Sequence, residues 1–320
     1  MTMDLTGIGG VWPASLTPFA PNGTPDGAID EASLRGHLAQ LAGTPGVRAL
    51  VVNGHAGEAT SLDRTERHQV VQIARQVAGG RVGVVAGIVA EDTRGACTLA
   101  RDAAEAGADA LLLFPPLLFA QGAAMRPEMV LRFVKAVAEA TPLPIVLFQL
   151  SMASGLGYST ELLLQLCREV PSIIAVKEGS DIPATYEANL HALRGLGRPV
   201  TVLTTNNGWL MASLAYGGDG ILSGIGSVAP GLLAELFAAS QRGDVATARR
   251  VQERLLPLTR VFYRRPGLDM HNRMKTALHL LGLLPHPDPR PPLLPITPAE
   301  REEIRQALLA SGLMRAAEAA

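Results

Sequence analysis

The sequence predicts an α/β protein, a (β/α)8 TIM barrel with a C-terminal helical extension. Short apolar runs rich in β-branched residues recur about every 25 to 35 residues, and longer segments of helical periodicity separate them. No linker-like stretch interrupts the alternation, and eight such units suit a barrel of roughly 230 residues. A doubly wound open sheet is the alternative, but no GxGxxG motif follows the first predicted strand.

The eight predicted strands are short apolar runs of the kind buried in a parallel sheet. In chain order they are Val11–Leu16, Ala49–Asn53, Val82–Ile88, Ala108–Phe114, Pro144–Gln149, Ser172–Lys177, Val200–Thr204 and Gly220–Ser223. Helices are predicted between them, at Asp30–Leu41, Asp63–Ala78, Thr93–Ala106, Pro127–Ala140, Thr160–Glu169 and Trp209–Gly217. Several of these helices begin with good capping residues. Asp63 is followed three residues later by Glu66, and Thr93 and Ser159 stand at two other starts.

After Ser227 the pattern changes to helices without strands. The helices predicted there are Pro230–Gln241, Asp244–Tyr263, Asn272–Leu281 and Pro298–Leu313. Between the last two, the proline-rich stretch Pro285–Pro295 predicts an extended surface segment. We therefore divide the chain into the barrel, residues 1–229, and residues 230–320. The second part would hold the last barrel helix and a helical appendage of the same structural unit.

Composition argues against several classes of partner. The net charge is −1 and the pI is about 6.7, which gives no electrostatic signature of binding to nucleic acid or to an anionic membrane. No apolar stretch reaches membrane-spanning length, and the first residues lack the basic and apolar regions of a signal peptide. The cytoplasm is therefore the expected location.

No metal or organic cofactor is predicted. Asp269, His271 and His279 lie in the appendage without the spacing of a metal site, and we expect them to be solvated or packed. Cys97 and Cys167 stand in predicted helices without a CxxC motif. This placement predicts a free, buried thiol at each position.

Lys177 is the strongest candidate for a catalytic residue. It ends the sixth predicted strand, and the chemistry of barrel enzymes gathers at the carboxyl ends of the strands. Partial burial there would lower the pKa of its amine and make it a nucleophile toward a carbonyl. The alternative is a structural lysine paired with Glu178 or another acid.

Other strand ends supply candidate binding residues. The second strand leads into Gly54–Glu58, with the sequence GHAGE, whose two glycines allow backbone N–H groups to converge on an anion such as a carboxylate. A plain tight turn is the alternative. Phe148 lies at the end of the fifth strand, Thr205 follows the seventh, and Leu222 and Ser223 end the eighth. By default, Phe148 is a core aromatic and Ser223 a turn residue.

Six short motifs run through the chain in order. They are PASLTPF (13–19), GHAGE with TSL (54–58 and 60–62), EAGADA (105–110), IAVKE (174–178), GGDGI (217–221) and RPPLLP (290–295). Each motif is weak alone, but together their order and spacing resemble the dihydrodipicolinate synthase / N-acetylneuraminate lyase superfamily of Schiff-base lyases. The resemblance extends from about Gly10 to Leu313, nearly the whole chain.

The resemblance implies a (β/α)8 barrel with a C-terminal helical extension, assembled as a homo-oligomer, a tetramer or a dimer. It implies that Lys177 forms a Schiff base with the C2 carbonyl of a 2-oxo acid such as pyruvate. The iminium would permit deprotonation at C3 or cleavage of the C3–C4 bond. His55, Ala56 and Gly57 match the family's carboxylate-binding turn, where backbone N–H groups would hold the substrate, and Glu58 would brace that turn.

The chain departs from the family at several working positions. His55 and Ala56 stand where two hydroxyl residues are common, and Phe148 replaces the tyrosine that shuttles protons. Ala153 stands where synthases carry an arginine that grips the second substrate. These departures predict that the chain is not a true dihydrodipicolinate synthase.

His55 is the predicted substitute for the missing proton shuttle. It is the only one of the seven histidines at a predicted strand end, and an imidazole titrates in a useful range. The alternative is that His55 hydrogen-bonds the loop or a neighbouring subunit.

Three functions are compatible with these residues. The first is a class I lyase or aldolase acting on a 2-oxo acid with an apolar or aromatic tail, since an apolar pocket is predicted from Leu117, Leu118, Phe119, Phe148 and Leu150. The second is a dehydratase or deaminase of a 2-oxo sugar acid or a cyclic imino acid. The third is a non-catalytic, small-molecule-binding or regulatory relative that keeps the lysine without the proton shuttle.

Overall fold

The computed structural model describes residues 3–21 and 27–315 and shows the predicted TIM barrel, in which eight parallel strands alternate with helices. The strands are β1 Gly10–Pro13, β2 Ala49–Val52, β3 Gly83–Ile88, β4 Ala110–Leu113, β5 Ile145–Gln149, β6 Ile173–Glu178, β7 Thr201–Thr204 and β8 Gly220–Ser223. The helices are α1 Glu31–Gly43, α2 Arg64–Ala78, α3 Thr93–Glu105, α4 Pro127–Ala140, α5 Thr160–Glu169, α6 Pro183–Arg194, α7 Leu210–Ala215, α8 Pro230–Gln241, α9 Val245–Phe262, α10 Met270–Leu280 and α11 Pro298–Ser311. All eight predicted strands are present; β8 has the predicted bounds, and the other seven differ at one or both ends.

The strands form one sheet in the order β1-β8-β7-β6-β5-β4-β3-β2. Isolated parallel bridges, such as Val11 to Val47, join the first and second strand segments and bring the barrel close to closure. The register sets Lys177 of β6 opposite Phe148 of β5. Because paired residues of neighbouring parallel strands face the same side of a sheet, these two side chains point the same way.

Two of the predicted helix starts are confirmed. Asp63 accepts a hydrogen bond from the Glu66 N–H at 2.8 Å, and the Glu66 carboxylate accepts one from the Asp63 N–H at 2.9 Å, which makes a capping box. Ser159 caps α5 by accepting from the Leu162 N–H at 3.2 Å. Both caps satisfy backbone donors that have no partner inside the helix.

Two details of the helix prediction are wrong. The cap of α3 is Asp92, which accepts from the Gly95 N–H at 2.9 Å, whereas Thr93 is already the first helical residue. Helix α6 was not among the predicted helices. Its buried face includes the polar residue Asn189, which weakens the apolar periodicity by which helices are recognised.

The helices after β8 form the predicted extension, and no strand follows β8 within the described residues. Fully buried Arg273 of α10 donates to the carbonyls of Arg264 and Pro266 at 2.9 and 3.1 Å, which fixes the turn between α9 and α10. Arg290, in the proline-rich segment, donates to the Glu66 carboxylate of α2 at 2.7 Å. The first contacts order the extension internally, and the Arg290 contact ties it to the barrel.

Three smaller findings concern membrane-spanning helices, the two cysteines and metal sites. Among the described residues, none of the helices combines the length and apolar character needed to cross a bilayer. Cys97 and Cys167 are free thiols as predicted, but only Cys167 is fully buried, while Cys97 is half-buried. Within residues 3–21 and 27–315, no group of three or more His, Cys, Asp or Glu side chains is arranged to hold a metal ion.

Candidate active site

Lys177 lies next to the end of β6 and is buried, with 6% of its surface exposed. Its Nζ lies 4.0 Å from the ring centroid of Phe148 and 6.0 Å from that of Phe114. In the part of the chain that the structure describes, no acceptor pairs with this amine. Burial therefore lowers the pKa of Lys177 to about 7, so that much of the amine is unprotonated and nucleophilic at neutral pH.

Glu178, the possible structural partner of Lys177, is engaged elsewhere. Successive residues of a strand face opposite sides, so Glu178 points away from the side that Lys177 faces. Its carboxylate accepts hydrogen bonds from Asn189 Nδ2 at 3.0 Å and from Asn206 Nδ2 at 3.1 Å, and burial raises its pKa. The alternative ion pair with Lys177 is not formed, and the amine stays free.

Three aromatic rings cluster beside the amine. The His55 ring lies 4.6 Å from Phe114 and 5.9 Å from Phe148 between centroids, and the two phenylalanine rings meet edge to face at 5.1 Å. The structure thus brings the predicted residues His55 and Phe148 together near Lys177. Phe114 was not among the predicted site residues, although its place at the end of the fourth predicted strand was a sufficient signal.

His55 is neutral at physiological pH. The residue is exposed at the surface of the turn, but the surrounding protein still desolvates its imidazole. This desolvation, with a smaller contribution from repulsion by the protonated forms of Lys177 and His271, lowers the pKa of His55 to about 4. The neutral imidazole has a lone pair that is able to accept a proton, but a pKa of about 4 lies below the useful range expected from the sequence and makes His55 a weaker base than an ordinary histidine.

The turn after β2 presents free backbone donors. Within the described residues, the N–H groups of His55 and Ala56 have no acceptor. Thr17 Oγ1 donates to the carbonyl of Gly57 at 2.8 Å and fastens the turn to the segment after β1. A Cβ at Gly57 would lie 3.1 to 3.2 Å from backbone atoms of two neighbouring segments, which explains the glycine. Converging free N–H groups of this kind are able to hold an anion.

A buried ion pair braces this turn from the C-terminal extension. Glu58, with φ at 53°, pairs with Lys275 of α10, and both side chains are almost fully buried. Burial raises the pKa of Glu58 and lowers that of Lys275, so each charge depends on the other. His271 Nε2 lies 3.5 Å from Glu58, and burial lowers its pKa to about 4. Glu58 thus braces the turn, and His271 is packed rather than solvated.

A second polar group lies at the ends of β7 and β8. Ser223 Oγ donates to Asn207 Oδ1, and Asn207 Nδ2 donates to the Thr205 carbonyl at 2.9 Å. The hydroxyl of Tyr263, just after α9, lies 3.2 Å from Ser223 Oγ. Leu222 is fully buried in β8 beside them. The structure therefore joins the predicted residues Thr205 and Ser223 through Asn207 and extends the group to Tyr263.

Asn207 and Tyr263 were missed for different reasons. Asn207 follows the seventh predicted strand, and its position close to that strand end could have identified it. Tyr263 ends a predicted helix of the extension, and no local pattern links that helix to the end of β8. Only the complete fold brings Tyr263 to the barrel.

Together these residues suit one kind of chemistry. A buried free amine on β6 and, after β2, a turn with unpaired N–H groups and a neutral imidazole lie at the same end of the barrel. An uncharged amine condenses with a carbonyl, and oriented N–H groups bind a carboxylate. The arrangement therefore suits imine formation with a carbonyl compound that also carries a carboxylate.

Comparison with known proteins agrees with this chemistry. The model of the dihydrodipicolinate synthetase family matches residues 7–311. Two similar curated proteins carry the name 4-hydroxy-tetrahydrodipicolinate synthase. That of Nitrobacter hamburgensis is 34% identical over 307 residues, covering 95% of this chain and 97% of the relative. That of Salinibacter ruber is 34% identical over 307 residues, covering 94% of each.

Solved structures of similar proteins have the same fold. Dihydrodipicolinate synthase from Thermotoga maritima aligns with a TM-score of 0.86 at 25% identity, covering 96% of this chain and 99% of that one. YagE from E. coli K12, a prophage protein of the dihydrodipicolinic acid synthase family solved with pyruvate, aligns with a TM-score of 0.85 at 25% identity. That alignment also covers 96% of this chain and 99% of YagE.

Proposed function

The chain belongs to the dihydrodipicolinate synthetase family and is a lyase of that family, and from this premise we propose that Lys177 forms a Schiff base with a pyruvate-type 2-oxo acid. The observation that carries the proposal is the buried, unpaired amine of Lys177, whose pKa is lowered to about 7. The free N–H groups of His55 and Ala56 support a carboxylate next to the carbonyl. The pyruvate in the YagE structure supports the same substrate class.

The reaction begins when the neutral amine of Lys177 attacks the C2 carbonyl carbon. A C–N bond forms and the carbonyl oxygen takes up a proton. That proton comes from the amine nitrogen, and a second proton from solvent lets the oxygen leave as water. The product is an iminium, whose nitrogen accepts the electron pair when the C3–H or the C3–C4 bond breaks. His55 takes the C3 proton in the first case and the proton of the C4 hydroxyl in the second, since its imidazole is neutral and lies beside Phe148.

We propose that the reaction is not that of a true dihydrodipicolinate synthase. Phe148 places an apolar ring 4.0 Å from the Lys177 amine, where the family's tyrosine would bring a hydroxyl. Ala153 lies exposed in a short 3-10 turn and has no group to grip a second carboxylate. Of the residues predicted to form an apolar pocket, Phe148 lies beside Lys177, whereas Leu117 and Leu118 are exposed after β4 and Phe119 packs against Phe133 of α4. A substrate screen read by pyruvate release distinguishes a class I lyase from a dehydratase or deaminase.

Reduction with borohydride in the presence of pyruvate tests the Schiff base. The expected product is one reduced adduct at Lys177, detected by intact mass and peptide mapping. The sequence has only three lysines. Lys135 pairs with Glu169 at the surface and Lys275 is buried against Glu58, so a single adduct is expected. No adduct in the wild-type protein, or an adduct that persists in Lys177→Met, would contradict the proposal.

The pH dependence of adduct formation tests the state of the amine. Only the neutral amine attacks, and the pKa of Lys177 is lowered from 10.5 to about 7. The initial rate of adduct formation should therefore rise through pH 7 and level off above it. A rate that instead keeps climbing toward pH 10 would show that the amine has an ordinary pKa.

Phe148→Tyr tests whether the proton shuttle is missing. The new hydroxyl would stand beside Lys177, and a positioned acid or base contributes roughly a hundredfold to ten-thousandfold when it is fully effective. We expect the variant to exchange the methyl protons of pyruvate with D2O at least about tenfold faster, measured by proton NMR. Phe237→Tyr, in α8 away from the site, is the matched control. Equal exchange in all three proteins would mean that no shuttle is lacking at this position.

A further inference from the structure

The end of β8 is met by a phenol that comes from the C-terminal extension. Tyr263 Oη accepts a hydrogen bond from the Ile225 N–H at 3.0 Å and lies 3.2 Å from Ser223 Oγ. The turn that carries Tyr263 is held in place by fully buried Arg273, which donates to the Arg264 carbonyl at 2.9 Å. The hydroxyl is therefore fixed in position by both the barrel and the extension.

The hydrogen bonds around Tyr263 have a definite direction. Ser223 has one hydroxyl hydrogen and donates it to Asn207 Oδ1, since the Asn207 amide donates to the Thr205 carbonyl. Tyr263 already accepts from Ile225, so its own hydrogen points toward Ser223 Oγ at 3.2 Å. Burial raises the pKa of Tyr263 to about 12, which keeps this hydrogen in place at neutral pH.

Tyr263 and the turn after β2 border the same small space. A Cβ built on Gly224 would lie 3.4 Å from Tyr263 Oη and 3.5 Å from Ala56 Cβ. Met274 Cε borders this space too, at 3.4 Å. Because the N–H of Ala56 is unpaired, an anion held at the turn would lie within reach of the Tyr263 hydroxyl.

We propose that Tyr263 binds the carboxylate of the 2-oxo acid attached to Lys177, donating the hydrogen bond that the alanine side chain at position 56 is unable to make. The inference rests on the proposed Schiff base at Lys177. On substrate binding, the phenol hydrogen turns from Ser223 to the carboxylate, which is a stronger acceptor because it is charged.

The same hydrogen-bond chain argues for binding rather than proton transfer. It runs from Tyr263 through Ser223 and ends at the side-chain amide of Asn207, whose Nδ2 is bonded to a backbone carbonyl. An amide is neither a useful acid nor a useful base near neutral pH, so no proton can be supplied along this route. Tyr263 should therefore affect the affinity for the 2-oxo acid, while the proton transfer stays with His55.

Tyr263→Phe separates binding from chemistry. A hydrogen bond to a charged group is worth about tenfold to a hundredfold in affinity, so the pyruvate concentration that half-saturates adduct formation should rise by about that factor. The adduct-forming rate at saturating pyruvate should stay close to that of the wild type. With methyl pyruvate, which lacks the carboxylate charge, the half-saturating concentration should rise much less in the variant. Tyr216→Phe, an exposed tyrosine after α7, is the matched control and should match the wild type with both probes.

Gly224→Ala provides a second variant that keeps the phenol. The added methyl would make ordinary van der Waals contacts at 3.4 to 3.5 Å, so the variant should fold while filling the space beside Tyr263. It too should raise the half-saturating concentration of pyruvate.

Three results would overturn the inference. An unchanged half-saturating concentration of pyruvate in both Tyr263→Phe and Gly224→Ala would show that Tyr263 does not bind the substrate. If Tyr263→Phe lowers the affinity for pyruvate and for methyl pyruvate equally, Tyr263 has a structural role and makes no bond to the carboxylate. Failure of the wild type to form any adduct would instead contradict the Schiff-base proposal, and this inference would fall with it.

Discussion

His55→Ala is expected to slow the exchange of pyruvate methyl protons with D2O by about a hundredfold to ten-thousandfold, the usual effect of losing a positioned acid or base. Formation of the reduced adduct at Lys177 should continue, because the attacking amine is untouched. The physical reason is the neutral His55 imidazole, which shares an aromatic cluster with Phe148 beside that amine. The two measurements, exchange by NMR and adduct by mass, separate proton transfer from imine formation.

The control for this prediction is His191→Ala. His191 is an exposed histidine of α6, near Glu187 and without a contact to the site, and its removal should leave both measurements unchanged. Exchange at the wild-type rate in His55→Ala would eliminate His55 as the proton acceptor. Loss of the adduct as well would place His55 in imine formation and would contradict the division of roles proposed here.

The pH profile of exchange should report the titration of Lys177 and not that of His55. Because the pKa of His55 is lowered to about 4, its imidazole is deprotonated over the whole range in which the enzyme would be assayed. Protonation of Lys177, with its pKa near 7, should then be what slows exchange as the pH falls.

Part of the site could be predicted from the sequence because a parallel barrel gathers its strand ends at one face. Lys177 and the turn that carries His55 needed only a correct reading of short apolar runs and of the residues that follow them. Ser223 was selected as a candidate binding residue because it ends the eighth predicted strand. The order of eight such units also predicted the barrel itself, since each connection between successive predicted strands is long enough for a crossover between parallel strands.

The remaining site residues depend on contacts between distant parts of the chain. Lys275 and Tyr263 belong to helices of the extension, yet they meet Glu58 of the β2 turn and Ser223 of β8. Helical periodicity shows which face of a helix is buried, but it does not show which loop that face covers. Asn189 illustrates the same limit, since this polar residue is buried in α6 with hydrogen bonds to Glu178 and Thr160 of other elements.

The second large effect is expected from Lys275→Met. Removing one member of a buried ion pair leaves the other charge without compensation, which costs about 3–5 kcal/mol of unfolding free energy. Glu58 is such a residue, because it is 3% exposed and burial already raises its pKa. The free energy of unfolding, measured with urea, should fall accordingly. Lys135→Met breaks a surface pair with Glu169 and should change the urea midpoint little.

A double variant shows whether the pair stabilises the fold or only positions the turn. In Glu58→Gln combined with Lys275→Met, no buried charge is left unpaired, so part of the lost stability should return. The affinity for pyruvate should not return with it, because the turn that carries His55 and Ala56 has lost its brace to α10. Recovery of both stability and affinity would mean that the turn holds its shape without Lys275. If Lys275→Met lowers the free energy of unfolding no more than Lys135→Met does, the buried pair contributes nothing to folding stability.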